Sequence, residues 1–302
     1  MTAWPELPVA AWSDTRDTVH MWTQIVGKVR LTLMPALNQW WQTTLYVDAR
    51  GLTTGLMPYT DGGLEIAFDF RQHRLVIDTV DGARRELQLE PRTVADFYGE
   101  LFGVLHDLGI DVEIYATPVE IPVAIPFATD TQHASYDGDA MHNFWRSLVN
   151  AQRIFTTFRS RYSGKVSPVH FIGGAFDLAV TRFSGRPAPL YTGEVPNCPT
   201  WVMEQAYDEE VSSAGYWAGG SEEGSFYAYA YPEPDGFRQY PVAPANAYFD
   251  DALGEFILPY ADVRRAADPD AIVLEFLQTT YDAAAERAHW DRAHLEFVPP
   301  ST

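Results

Sequence analysis

The sequence predicts an α+β fold of two similar halves, each an antiparallel sheet with helices packed on one face. Three observations lead there. Helical periodicity is confined to four stretches, 14–33, 93–108, 139–162 and 270–288. Between them lie short runs that alternate apolar and polar residues and are separated by turn signals. The order helix, meander, closing helix also occurs twice, which is consistent with internal duplication although residue identity is not obvious. The alternative is two unrelated α+β layers sharing a sheet.

The first helix, Asp14 to Leu33, sets Val19, Trp22, Ile25, Val26, Val29 and Leu33 at helical spacing, with Ser13 placed to cap it and Pro35 ending the pattern. Trp40 to Asp48 alternates as a strand, and Arg50-Gly51 marks a turn. Leu64 to Phe70, Arg74 to Val80 and Arg84 to Leu89 read as a meander. Asp81-Gly82 predicts a tight hairpin within it, because both central residues of a primed turn need positive φ. Thr93 to Leu108 is amphipathic, Gly109 closes it, and Asp111 to Ala116 returns as a strand. These elements make an N-terminal half over 1–116.

The Pro-rich, polar run 117–138 reads as a linker. The C-terminal half, 139–302, opens with a long helix presenting Phe144, Trp145, Leu148, Phe155 and Phe158. Strand-like runs at 168–182, 211–217, 225–231 and 254–258 then lead to the last helix. Asp268-Pro269 starts that helix well, with a capping Asp and Pro at the first helical position.

Composition narrows the function classes. The 302 residues are 46% hydrophobic and 14% aromatic, which supports a large packed core and excludes disorder. The net charge of −20, from 41 acidic and 21 basic residues, repels phosphate backbones and excludes general nucleic-acid binding; most of it serves solubility. One cysteine, Cys198, permits no internal disulfide, and no Cys/His spacing suggests zinc. The N-terminus lacks a signal-peptide pattern, and no apolar run approaches the ~20 residues of a membrane span. A soluble cytoplasmic protein with no membrane partner and no cofactor is the expectation.

The candidate site lies on the second meander. Read as one strand, His170 to Arg182 places His170, Ile172, Gly174, Phe176, Leu178, Val180 and Arg182 on one face. Phe171, Gly173, Ala175, Asp177, Ala179 and Thr181 fall on the other. The second face is nearly bare of bulk around a carboxylate, so it either admits a packed helix or leaves room for a ligand. A bulge at Gly173-Gly174 would swap the faces beyond it. Ser225 to Tyr231 sets Tyr227, Tyr229 and Tyr231 side by side, giving apolar walls with hydroxyl donors. Glu233 follows at a rim, and Glu209, Glu210 and Trp217 fall on the intervening run. Carboxylates among aromatics acquire raised pKa values, the condition for a general base near neutral pH.

Each of these residues has a plainer reading. Asp177 can bond a neighbouring backbone or pair with Arg182 or Arg186. The tyrosines can be a helix-covered sheet face, and His170 a satisfied core histidine. Glu209 and Glu210 are adjacent, so at most one enters a pocket. The motifs of serine hydrolases, zinc peptidases, Walker nucleotide sites and dinucleotide sites are absent. A metal held by His170 with Glu209, Glu210 or Glu233 has no diagnostic spacing, and none is expected.

At Ser167-Pro-Val-His-Phe, Phe176-Asp-Leu-Ala-Val-Thr-Arg-Phe-Ser-Gly-Arg186, Val211-Ser-Ser-Ala-Gly215 and Tyr229-Ala-Tyr-Pro-Glu-Pro234, the chain resembles a bacterial family of uncharacterised proteins, a domain of unknown function. His20-Met-Trp-Thr-Gln-Ile-Val-Gly-Lys28 and Trp40-Trp41 extend the likeness over nearly the whole chain. The resemblance supplies no activity. Where it implies a Phe-Phe-Trp-Gly-Ser run, this chain has Phe171-Ile-Gly-Gly-Ala175, and where it implies His before Glu210, this chain has Glu209. Both departures fall at the suspected pocket, marking a divergent ligand or engineering. The second removes an imidazole from any inherited metal set.

The function expected from these residues is an enzyme acting on a small, partly aromatic molecule, with Glu209, then Asp177 or Glu210, as general base. His170, Gly173, Ala175, Arg182, Trp217, Tyr227, Tyr229 and Glu233 would line the substrate, with Arg182 steadying developing negative charge. The alternative is a small-molecule binding protein using the same cavity without catalysis. A protein-interaction scaffold would instead require a broad exposed apolar patch. Oligomeric state is not legible.

Overall fold

The computed structural model describes residues 4–60 and 62–297. Helix α1 (Val9–Leu33) starts one turn earlier than the apolar spacing marks, behind Pro8 rather than Ser13, and is buried on nearly every side. The chain then turns through a 3-10 segment, Asn38–Thr43, where a strand is expected from sequence. Gln39 and Trp40 adopt left-handed backbone there, so only β1 (Tyr46–Val47) is extended.

Strands β2 (Gly51–Thr53), β3 (Met57–Tyr59), β4 (Gly62–Asp69), β5 (Arg74–Thr79) and β6 (Arg84–Gln88) complete the first sheet. Its order is β1-β2-β4-β5-β6, with β3 also on β4 and every pair antiparallel. The β5–β6 turn spans four residues, and only Gly82 of the Asp81-Gly82 pair has positive φ. Leu64, Ile66 and Phe68 of β4 are fully buried, and Phe68 reaches Phe97 of α2 (Val94–Asp107), which stacks on Trp22 of α1 at 4.7 Å. Residues 111–116, expected as a strand, are irregular.

The second half repeats the order. Helix α3 (Gly138–Arg159) is followed by β7 (His170–Ile172), β8 (Asp177–Pro187), the short α4 (Thr200–Ala206), β9 (Glu209–Trp217), β10 (Ser225–Tyr231), β11 (Tyr248–Asp250) and β12 (Glu255–Pro259). Helices α5 (Tyr260–Arg265), α6 (Pro269–Arg287) and α7 (Arg292–Leu295) close the chain. Asp268 caps α6 through Ala271 N, and Pro269 sits at its start. The sheet is antiparallel in the order β11-β12-β10-β9-β8-β7. The architecture is therefore α+β with two antiparallel six-stranded sheets.

On one face of the second sheet, Leu178, Val180, Tyr216, Phe226 and Leu258 pack beneath α3 and α6, with Phe155 edge-on to Phe226 and Phe144 tilted on Tyr216. The other face carries the acids and tyrosines described below. Two features tie the halves together. Leu45 and Phe171 exchange backbone hydrogen bonds of 2.8 and 2.9 Å, joining the β1 end of one sheet to β7 of the other. Helix α1 also spans both, stacking on Phe97 through Trp22 while Arg16 donates to Ala218 O in the second half. Among the described residues, no helix is long and apolar enough to cross a membrane.

Candidate functional site

Residues 170–182 form a hairpin and not one continuous strand. β7 and β8 pair His170 with Ala179 and Ile172 with Asp177, and Gly173 to Phe176 make the turn. Phe176 is held there at φ 58°, a position costly for a bulky residue, by stacking on Phe144 at 5.2 Å. His20 of α1 braces the same turn. Donating Nε2–H to Gly174 O at 2.8 Å places the proton of the neutral ring on that nitrogen, and burial lowers its pKa to about 4.

Register assembles the open face. Asp177, Ala179 and Thr181 of β8 lie beside Trp217, Gly215 and Ser213 of β9, which lie beside Ser225, Tyr227 and Tyr229 of β10. Tyr227 pairs with Ile257 of β12, so Glu255, two residues earlier, shares that face. Gly215 is required by the arrangement. The Tyr227 ring lies so close over it that an added Cβ would be 2.4 Å from the phenol oxygen. Across that gap Tyr227 Oη–H donates to Asp177 Oδ2. Tyr229 stacks on Tyr227 at 6.2 Å, and its hydroxyl meets that of Tyr207 at 2.8 Å.

Asp177 is 2% exposed, and its Oδ1 has no hydrogen-bond partner. Burial raises its pKa to about 7, against the lowering effect of the Tyr227 hydroxyl. Glu255 is raised to about 7, first by burial and then by the charges of Asp177 and Asp250. A third acid comes from outside the sheet. Glu120 is likewise pushed up to about 7 by burial and by Asp177. Glu120 as a whole residue is nevertheless exposed to solvent. The carboxylate covers Gly174, where a Cβ would lie 1.9 Å from Oε1.

The chain works to hold Glu120 there. Gln24 of α1 clasps Val119 through both backbone groups, donating to Val119 O at 2.8 Å and accepting from Val119 N at 2.9 Å. Glu120 itself sits at φ 62° and donates its N–H to Pro196 O at 2.7 Å. Lys28 of α1 lies over the Tyr115 ring at 5.1 Å, its pKa lowered by burial to about 8 and sustained by Cys198.

Of the residues expected from sequence, Asp177, Trp217, Tyr227 and Tyr229 come together. The others go elsewhere. Glu209 pairs with Pro187 at the opposite end of β8 from Asp177, on the order of 25–30 Å along an extended strand. It is bound to Lys165. Glu210 is held by Arg186 Nε and Nη2 at 2.9 and 2.6 Å, and Glu233 by Arg238 at 2.6 and 3.0 Å. Arg182 points to the opposite face and steadies nothing near Asp177. Its guanidinium is 3.5 Å from the Phe158 ring centre and 4.3 Å from that of Tyr281. His170 is buried against Trp41, with burial and then the Arg30 charge lowering its pKa to about 3. Gly173 makes room for α1, since a Cβ there would lie 3.3 Å from Thr23 O, and Ala175 is in the turn. Among the described residues, no group of three or more His, Cys, Asp or Glu could hold a metal ion.

Glu120, Glu255 and Tyr207 are the site residues that strand alternation misses. A signal for Glu120 exists in the sequence. Pro118-Val-Glu-Ile-Pro-Val-Ala-Ile-Pro126 is far more apolar than a solvated linker, so a lone acid within it is one the fold has to accommodate.

The hydrogen bond from Tyr227 holds the Asp177 pKa down. Tyr227→Phe should therefore move the Asp177 titration upward, followed by carboxyl-carbon NMR, while leaving the Lys165–Glu209 pair unchanged. An unmoved titration would mean the phenol does not govern this acid.

The chain belongs to a family of unknown function (DUF5996), whose model matches residues 4–297. No curated protein and no solved structure matches it.

Proposed function

Because family membership brings no activity with it, the geometry carries the reading, and we propose that the protein is an enzyme transferring protons on a small, partly aromatic molecule bound on the tyrosine face of the second sheet. Asp177, rather than Glu209, is the general base, and Glu120 is its acid partner. One observation carries this: Asp177 is a buried carboxyl with one oxygen held by Tyr227 and the other free. A buried acid left so is expensive to keep and is held at functional sites.

Two further features support the pairing. Like charges resist joint ionisation, and the Asp177 charge adds to burial in raising the Glu120 pKa, which favours one acid accepting a proton while the other donates. Phe176 and Glu120, one beside the base and the other the acid itself, both occupy left-handed backbone, and such strain collects where a fold holds a site in place. Tyr229, Tyr207 and Trp217 supply flat walls and hydroxyls for the substrate.

The test is a carboxyl-carbon NMR titration together with a thermal-shift screen of small aromatic compounds on wild type and Asp177→Asn. Midpoints near 7 for Asp177 and Glu120, with stabilising compounds lost in the variant, are the expected result. Midpoints at the ordinary ~4 alongside retained ligands would make the protein a non-catalytic binder.

A further inference from the structure

The acids of this face differ from Glu223 and from the other acids first expected at the site. Glu209, Glu210, Glu223 and Glu233 are each matched by a lysine or arginine within ion-pair distance. Asp177, Glu120 and Glu255 reach the tyrosine face from three separate elements, and no ion pair joins any of them to a cation among the described residues. Lys28, the cation at this side of α1, is spent on the Tyr115 ring. Asp177 Oδ1, nine-tenths buried and more, has no protein partner at all. Around these acids stand ring faces: Tyr227 and Tyr229 are stacked within 11° of parallel, and Tyr191 stacks on Tyr207 at 4.8 Å. Aromatic faces attract cations, and carboxylates complete their charge.

Resting on the pocket reading above, we infer that the ligand carries a positively charged nitrogen, an ammonium or guanidinium, attached to a flat apolar group. Asp177 Oδ1 and the Glu120 carboxylate receive the N–H donors, and Glu255 adds charge from the β12 side. The tyrosine rings take the apolar part. Three acids spread over a ring-walled face suit a cation whose charge and donors are extended. They do not converge as a set of metal donors does.

The test uses calorimetric titration of the full chain at pH 8 with three probes that share a phenylethyl group: 2-phenylethylamine, 2-phenylethanol and 3-phenylpropionate. The amine should bind at least tenfold tighter than the alcohol, and the propionate not measurably. Glu120→Gln and Asp177→Asn, each checked for an unchanged circular dichroism spectrum, should each cut the advantage of the amine about tenfold. If the alcohol or the propionate binds as tightly as the amine, the pocket stands and the cationic ligand is wrong. If none binds, or if Mg²⁺ or Zn²⁺ alone stabilises the wild type and not the variants, the inference is likewise overturned. The pocket reading then still answers to the carboxyl titration.

Discussion

Asp177→Asn should stabilise the protein at pH 8.5 and do so far less at pH 5. The sign follows from proton binding. The carboxyl titrates at about 7 when folded against 3.8 as its ordinary value. Between these values the native state holds the proton that the unfolded chain releases, so stability falls as pH rises through about 4 to 7 and is level above. The ionised carboxylate then costs on the order of 4 kcal/mol above pH 7. An asparagine avoids that charge but buries an amide N–H lacking an acceptor, worth roughly 2 kcal/mol. The net expectation is a gain of about 2 kcal/mol at pH 8.5, shrinking toward zero at pH 5, read from urea midpoints at the two pH values. Equal gains at both, or a loss at pH 8.5, would make Asp177 a structural residue. A gain in stability with a loss of ligand response is the pattern of an acid kept for function.

Arg182 should show the opposite behaviour. It is 1% exposed, boxed by Phe158, Tyr162 and Tyr281, and its guanidinium donates from Nη2 to Phe158 O. No carboxylate forms an ion pair with it among the described residues, and burial lowers its pKa to about 10, leaving it charged. Arg182→Ala should cost about 3–5 kcal/mol, through a cavity and the loss of ring contacts worth ~0.5–2 kcal/mol each. Arg182→Met fills the same volume without a buried charge and should lie within about 1 kcal/mol of wild type or above it. Chemical denaturation of both variants decides the matter. If methionine proves as harmful as alanine, the charge itself is indispensable to this core. Neither variant should alter the Asp177 titration, because the guanidinium lies across the sheet from it.

The parts of the fold legible in the sequence were those set by period alone. Ser225–Tyr231 alternates strictly and is a strand with those bounds, and Asp268-Pro269 opens a helix where its chemistry requires. Backbone exceptions were not legible. The Gly173–Phe176 turn hides inside an alternating run because Phe176, not a glycine, takes the left-handed position. Trp40 does the same in a run that alternates as well as any strand.

Alternation also fixes which face a side chain takes but not how far along the sheet it sits. That is why Tyr227, Tyr229 and Asp177 were found together while Glu209, on a neighbouring strand, lies at the far end. Glu120 arrives from a loop clasped by α1, a long-range placement that no local pattern encodes.

The Leu45–Phe171 exchange has a consequence for how copies of this chain meet one another. Each sheet turns one end toward the other, β1 facing β7 through Leu45 and Phe171, and the three-residue β3 lies beside β2 on β4. The two ends left outward are short: β6, with Arg84, Arg85 and Glu86 in its five residues, and β11, three residues ending at Asp250 beside Asp251. Brief, charged borders are poor templates for a foreign strand. Among the described residues, the twelve strands thus leave only short margins at which strand-by-strand polymerisation could begin.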